Sequence, residues 1–163
     1  YVIVLIKPKE AKRNRDRIIE ILNGDTSKDH ILLLCRNNGL KEDIASAEVM
    51  FNDTVGILNQ TYQYADWAYI GGAFGTLMHN VQEPAVYGMP IIFGPKYHKF
   101  KESVDLISVG AAQSLSKSSQ IEEWFSNHKI GSEHYKKASL AAKNYIYDNL
   151  GATEKIITII MKK

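Results

Sequence analysis

Residues 71–95 combine residue types that can bind a nucleotide-like ligand. Gly71-Gly72 and Gly94-Pro95 each follow a short apolar run, and His79-Asn80 and Glu83 lie between them. A glycine pair lets a ligand approach the backbone closely, and free N–H groups at the start of a following helix favour an anion. The spacing therefore predicts two neighbouring loops that line one crevice of the nucleotide-binding type.

The same residues also allow a purely structural interpretation. Asn80 followed three positions later by Glu83 matches a capping box, in which each side chain satisfies a backbone N–H of the first helical turn. Pro84 would then lie in that turn, where its missing N–H costs little. Glycines after strands are most often ordinary turns, and His79 fits a surface loop equally well. Spacing alone leaves both interpretations open.

An alternation of strands and helices positions these loops. Continuous apolar strands separated by helices indicate strands buried on both faces, and therefore a parallel sheet. Right-handed crossovers place helices on both faces, which gives an α/β, Rossmann-like fold that binds ligands at the carboxyl ends of its strands. The pattern predicts strands at 2–6, 31–35, 48–51, 67–70, 90–93 and 111–115, helices at 10–23, 55–64, 81–87 and 100–109, and a helical remainder.

The C-terminal segment 132–163 predicts two amphipathic helices around Gly151. We expect six of their apolar residues to pack on the sheet: Tyr145, Ile146, Leu150, Ile156, Ile157 and Ile160.

Length and composition restrict the class of protein. The chain has 163 residues, of which 45% are hydrophobic, which fits one domain over residues 1–163. A formal net charge of +2 indicates no nucleic-acid partner, and the single cysteine, Cys35, rules out an internal disulfide and is typical of a reduced compartment. No apolar run approaches the roughly 18 residues that span a membrane. The chain opens on a strand without an initiator methionine, so we expect a fragment or a processed product.

Several motifs resemble one family. Gly71-Gly72, then HNVQEPA at 79–85 and GMPIIFGP at 88–95, are similar to the C-terminal half of 3-deoxy-D-manno-octulosonic acid (Kdo) transferases, particularly Bacteroidetes versions. NDTVGIL at 52–58 and KFKE at 99–102 extend the resemblance, which is strong over residues 52–112 and loose elsewhere. The resemblance implies a GT-B glycosyltransferase that transfers Kdo from CMP-Kdo to the lipid A precursor of Gram-negative lipopolysaccharide. This chain would be its donor-binding domain, without the domain's first strand and without the acceptor domain.

The resemblance also implies roles for individual residues. Glu83 would hold the ribose hydroxyls, Asn80 and the Gly71-Gly72 backbone would face the phosphate and sugar, and the Phe93-Gly94-Pro95 loop would contact the cytidine. His79 lies at the same crevice. The catalytic residue is unknown in this chain, because the general base belongs to the acceptor domain.

One departure from the family concerns the contact to the leaving group. Where the family carries a turn with histidine, this chain reads Ile6-Lys7-Pro8-Lys9-Glu10, so Lys7 or Lys9 would supply the positive charge. The basic residues that follow them, between positions 12 and 17, fit a solvated helix face, or else a patch for anionic lipid.

The implied chemistry needs neither a metal nor a cofactor, since CMP-Kdo is a substrate and CMP is a monoester leaving group. The five histidines show no ligand spacing, and no Asp-x-Asp pair is present. We expect inversion, an inactive isolated chain that is soluble, and a full-length protein peripheral to the cytoplasmic face of the inner membrane. Two alternatives stay open: a GT-B donor domain for a UDP-sugar, and a non-catalytic α/β binding module.

Overall fold

The computed structural model describes residues 2–5, 31–34, 49–52 and 58–161, the first three ranges as backbone strands only. The chain divides into two compact units, Tyr1–Thr61 and Tyr62–Lys163. A single domain over residues 1–163 stays a prediction. The predicted helix 10–23, Cys35, Lys7 and Lys9 lie outside the described residues.

The first unit contains a parallel sheet of three strands. These are β1 (Val2–Leu5), β2 (Ile31–Leu34) and β3 (Val49–Asn52), in the order β1-β3-β2, and the short helix α1 (Leu58–Thr61) follows them. All three strands were predicted within one residue at each end. Their apolar sequences suit parallel pairing, which requires cover on both faces.

The second unit contains another parallel sheet, in the order β4-β5-β6. The central strand, β5, has all three residues buried, as its continuous apolar sequence predicts. The strands are β4 (Ala68–Ile70), β5 (Ile91–Phe93) and β6 (Ala112–Ser114), and the helices are α2 (Gln82–Val86), α3 (Lys101–Ser108), α4 (Ser119–Asn127), α5 (Glu133–Asp148) and α6 (Ala152–Met161), with a 3-10 turn at Tyr62–Tyr64 before β4. The predicted α/β, Rossmann-like fold is therefore confirmed.

Helix α2 is held in place by α5. Ala138 and Ala142 of α5 are buried, and their small side chains allow close packing. Gly88, just after α2, has a φ of +72°, and a Cβ there would lie 2.3 Å from the Lys143 side chain. The backbone N–H of Gly88 donates to Ala85, and that of Met89 donates to Pro84. These contacts fix α2 beside the loop that precedes it.

A second cluster lies around Trp124, which packs with Ile92 and Leu115 in the core. The indole N–H of Trp67 donates to the carbonyl of His128 at 2.7 Å, and the His128 ring stacks on Trp124. The cluster therefore joins α4 to the middle of the central strand β5.

The prediction that the C-terminal apolar residues pack on the sheet is largely wrong. Tyr145 and Ile146 are half-buried on α5, but Leu150 is exposed and no residue of α6 is buried. The chain turns at Gly151, whose φ is +81°, and α6 leaves the core there. In the described part of the chain, no helix is long and apolar enough to cross a membrane.

Candidate functional site

The loop that follows β4 is held by hydrogen bonds between its own backbone groups. The Gly71 carbonyl accepts from the His79 N–H at 3.2 Å, and the Gly72 carbonyl accepts from the Gly75 N–H at 2.9 Å. Gly72 has a φ of +92°, and a Cβ there would lie 1.9 Å from the Leu77 carbonyl oxygen. Only glycine fits this position without a shift of the backbone.

This loop adjoins the loop that follows β5, as the sequence predicted. The Lys96 N–H donates to the Ala73 carbonyl at 2.8 Å. A Cβ on Gly94 would lie 2.6 Å from the Phe74 ring, so Gly94 is required by close packing. The Ser103 hydroxyl contacts the Met78 sulfur at 3.4 Å from the side of α3. The two loops thus form one structure at the carboxyl edge of β4 and β5.

Asn80 and Glu83 contact each other at the start of α2. Asn80 Nδ2 donates to Glu83 Oε1 at 3.0 Å, and Asn80 Oδ1 accepts from the Gln82 N–H at 2.9 Å. The predicted capping box is therefore wrong in its hydrogen bonds, because Asn80 forms a turn to Gln82 and α2 begins one residue later than the box requires. The Gln82 N–H is engaged by Asn80, so it is not available to an anion.

The Glu83 carboxylate lies at the border between solvent and core. Glu83 is half-buried, while the next two residues, Pro84 and Ala85, are buried. Burial, and secondly the Glu83 charge, raise the pKa of Tyr62 to about 12. The Tyr62 phenol therefore belongs to the surroundings of Glu83.

The remaining predicted site residues differ in exposure. The His79 side chain is exposed, and its ring lies next to Gly71, where a Cβ would be 3.7 Å from its Cδ2 atom. The Phe93 ring is fully buried against Tyr97, whereas Pro95 is half-buried. Contact between this loop and a ligand would therefore begin at Pro95.

Two exposed side chains of the glycine loop were not predicted to bind. Phe74 packs beside Gly94 with half of its surface exposed, and Leu77 is more exposed still. The motif Gly-Gly-x-Phe-Gly contained Phe74, but an isolated aromatic residue in a loop gives no further signal. Both residues make part of the exposed surface of this loop apolar.

Among residues 58–161, no group of three or more His, Cys, Asp or Glu side chains is arranged to hold a metal ion. A separate cleft of about 490 Å³ lies between α3 and α5, lined by Asp105, Asn144 and Asp148 among others. The Asp105 carboxylate accepts hydrogen bonds from Lys101 and from the Tyr145 hydroxyl, and the Lys101 hydrogen bond is the main cause that lowers the Asp105 pKa.

Comparisons with known proteins indicate the family to which this chain is related. A scan against protein-family models finds no match. The chain is 31% identical over 123 residues to a 3-deoxy-D-manno-octulosonic acid transferase of Chlamydophila psittaci, covering 70% of this chain and 28% of that protein. It is 29% identical over 124 residues to the enzyme of the same name from Bordetella pertussis, covering 75% of this chain and 29% of that protein.

A solved structure matches the fold. It is the C-terminal CMP-Kdo binding domain of WaaA from Acinetobacter baumannii, with a TM-score of 0.70 and 20% identity, covering 87% of this chain and 70% of that one. The chain therefore has the Rossmann-like fold of that domain. It is a homologue of the Kdo transferases and corresponds to their C-terminal domain, which confirms the resemblance seen in the sequence. The chain spans less than a third of the length of these curated relatives.

Proposed function

We propose that this chain is the donor-binding half of a Kdo transferase and binds CMP-Kdo at the crevice beside Glu83. The observation that carries the proposal is the Glu83 carboxylate, held at the edge of the glycine loop with only one of its oxygens engaged. Among the described residues, Glu83 Oε2 has no hydrogen-bond partner. A carboxylate oxygen is an acceptor only, so it suits the hydroxyl pair of a ribose.

The other site residues would surround the donor. The Gly71-Gly72 backbone would face the phosphate and sugar, His79 would lie at the same crevice, and the Phe93-Gly94-Pro95 loop would contact the cytidine. These roles are supported by the backbone hydrogen bond between the two loops and by the exposed side chain of His79. Lys7 and Lys9 would provide the positive charge for the departing phosphate.

In the full-length protein, Kdo would pass to a hydroxyl of the lipid A precursor. The acceptor hydroxyl attacks the anomeric carbon, the bond from that carbon to the CMP phosphate oxygen breaks, and CMP leaves with inversion. A base on the acceptor domain takes the hydroxyl proton. CMP leaves as a phosphate monoester, so cations and oriented N–H groups can stabilise its charge without a metal. The chain alone would be inactive, and the whole protein would work at the cytoplasmic membrane face.

Titration calorimetry with CMP, and with UDP for comparison, tests the proposal. We expect the wild-type chain to bind CMP in preference to UDP. Glu83→Ala should weaken binding by about tenfold to a hundredfold, because hydrogen bonds to a charged group contribute about 1.5–3 kcal/mol. Glu123→Ala, which removes an exposed carboxylate on α4, is the matched control.

Three results would contradict the proposal. Preference for UDP would favour the donor domain of another GT-B enzyme. An absence of nucleotide binding by a folded chain would favour a non-catalytic module. Equal losses of CMP affinity in Glu83→Ala and Glu123→Ala would mean that Glu83 is not part of the binding site.

A further inference from the structure

The geometry points to Asn80 as a positioning residue, one that acts on the donor through Glu83 and does not contact the donor itself. This inference rests on the proposed function of the site. It differs from the role that the family resemblance implies, in which Asn80 faces the phosphate and sugar.

The hydrogen bonds fix the orientation of the Asn80 amide. The backbone N–H of Gln82 can only donate, so the atom facing it at 2.9 Å is the oxygen Oδ1. The nitrogen Nδ2 therefore faces Glu83 Oε1, which can only accept from it at 3.0 Å. A flipped amide would lose both hydrogen bonds. Both polar atoms of the side chain are thus engaged within the protein.

The consequence is a carboxylate that is already oriented before a ligand arrives. Glu83 has three rotatable side-chain bonds, and holding a free glutamate in one geometry costs conformational entropy at the moment of binding. Asn80 fixes Oε1 relative to the backbone of α2 and leaves Oε2 without a hydrogen-bond partner among the described residues. Removing the Nδ2 donor should therefore weaken binding even if α2 keeps its structure.

A purely structural role makes a different prediction. If Asn80 only starts α2, any side chain that accepts from the Gln82 N–H should suffice. Serine is such a side chain, since its hydroxyl is a good acceptor at helix starts but is too short to replace the amide donor to Glu83. Asn80→Ser therefore separates the two roles.

Calorimetric titration of the full 163-residue chain with CMP provides the test, using wild type, Asn80→Ser, Glu83→Ala and the double variant. We expect Asn80→Ser to weaken CMP binding by roughly fivefold to tenfold. The double variant should bind no more weakly than Glu83→Ala alone, because Asn80 then has nothing left to position. Asn144→Ser on α5 is the control and should bind as wild type does.

Two outcomes would overturn the inference alone. An unchanged CMP affinity in Asn80→Ser would mean that Asn80 serves only to start α2. If the losses of the two single variants multiply in the double variant, Asn80 contacts the donor directly. Both leave the proposed function intact, provided that Glu83→Ala loses affinity. A wild-type chain that does not bind CMP would overturn the proposed function, and this inference with it.

Asn80→Asp gives a readout that a structural role would not produce. The aspartate carboxylate can still accept from the Gln82 N–H, but it lies beside the Glu83 carboxylate. Repulsion between the like charges raises the pKa of one of the two carboxyl groups. At lower pH a shared proton replaces the lost donor. We expect the ratio of its CMP affinity to that of wild type to rise as pH falls from about 7.5 to about 5. A ratio that does not change with pH would contradict the positioning role.

Discussion

At the scale of single residues, the glycine loop is fixed by sterics that a substitution can measure. Gly72→Ala should lower the free energy of unfolding by about 2–3 kcal/mol, because it combines an unfavourable backbone conformation with a Cβ in the Leu77 carbonyl. Gly110 is the matched control, since its φ is +80° but nothing lies near its Cβ position. Gly110→Ala should cost only about 1 kcal/mol, the cost of the left-handed backbone conformation for a residue with a Cβ. Urea unfolding checks both values, and equal costs would mean that the loop relaxes around the new methyl group.

Tyr62 gives a second prediction at this scale, through its pKa of about 12. The folded state keeps the phenol protonated between pH 10 and 12 while the unfolded chain loses the proton. The stabilising contribution is therefore complete below pH 10 and is lost as pH rises towards 12. In urea unfolding between pH 9 and 11, Tyr62→Phe should lose less stability with pH than wild type. Tyr64→Phe, at an exposed position, should follow wild type.

At the scale of elements, the start of α5 can be tested against the start of α4. Ser132 caps α5, since its hydroxyl oxygen accepts from the Tyr135 N–H at 3.2 Å. Ser118 precedes α4 but makes no side-chain capping bond. Ser132→Ala should therefore cost about 1 kcal/mol of unfolding free energy, and Ser118→Ala less than about 0.5 kcal/mol. Thermal unfolding followed by circular dichroism compares them, and a reversed order would contradict the assigned caps.

The elements of the fold were largely predictable, whereas the contacts within the site were not. Apolar runs such as Ile91–Phe93 reveal buried strands because burial on both faces requires them. The bond between Asn80 and Glu83 depends on α2 beginning at Gln82, and a shift of one residue in a helix start is below what spacing can resolve. The proximity of Tyr62 to Glu83 joins residues far apart in sequence, so no local pattern contains it.

At the scale of the whole molecule, burial divides the second unit into a packed part and an unpacked C-terminal helix. Ile92 is 1% exposed within the core, whereas Ile157 is 53% exposed on α6. Ile92 belongs to a continuous apolar strand and Ile157 to an amphipathic helix, and the sequence predicted packing for both. Only the turn at Gly151 separates α6 from the core, and glycine in a turn does not indicate the direction that the chain takes afterwards.

This division predicts opposite results for two substitutions of the same kind. Ile157→Ala should change the free energy of unfolding by less than about 0.5 kcal/mol, because an exposed side chain leaves no cavity. Ile92→Ala should cost about 2–5 kcal/mol, because it removes buried methyl groups next to Leu115 and Trp124. Urea unfolding at low protein concentration measures both without association. A loss above about 1 kcal/mol in Ile157→Ala would mean that α6 packs against the folded chain in solution. A loss that grows with protein concentration would instead assign its apolar residues to contact between copies.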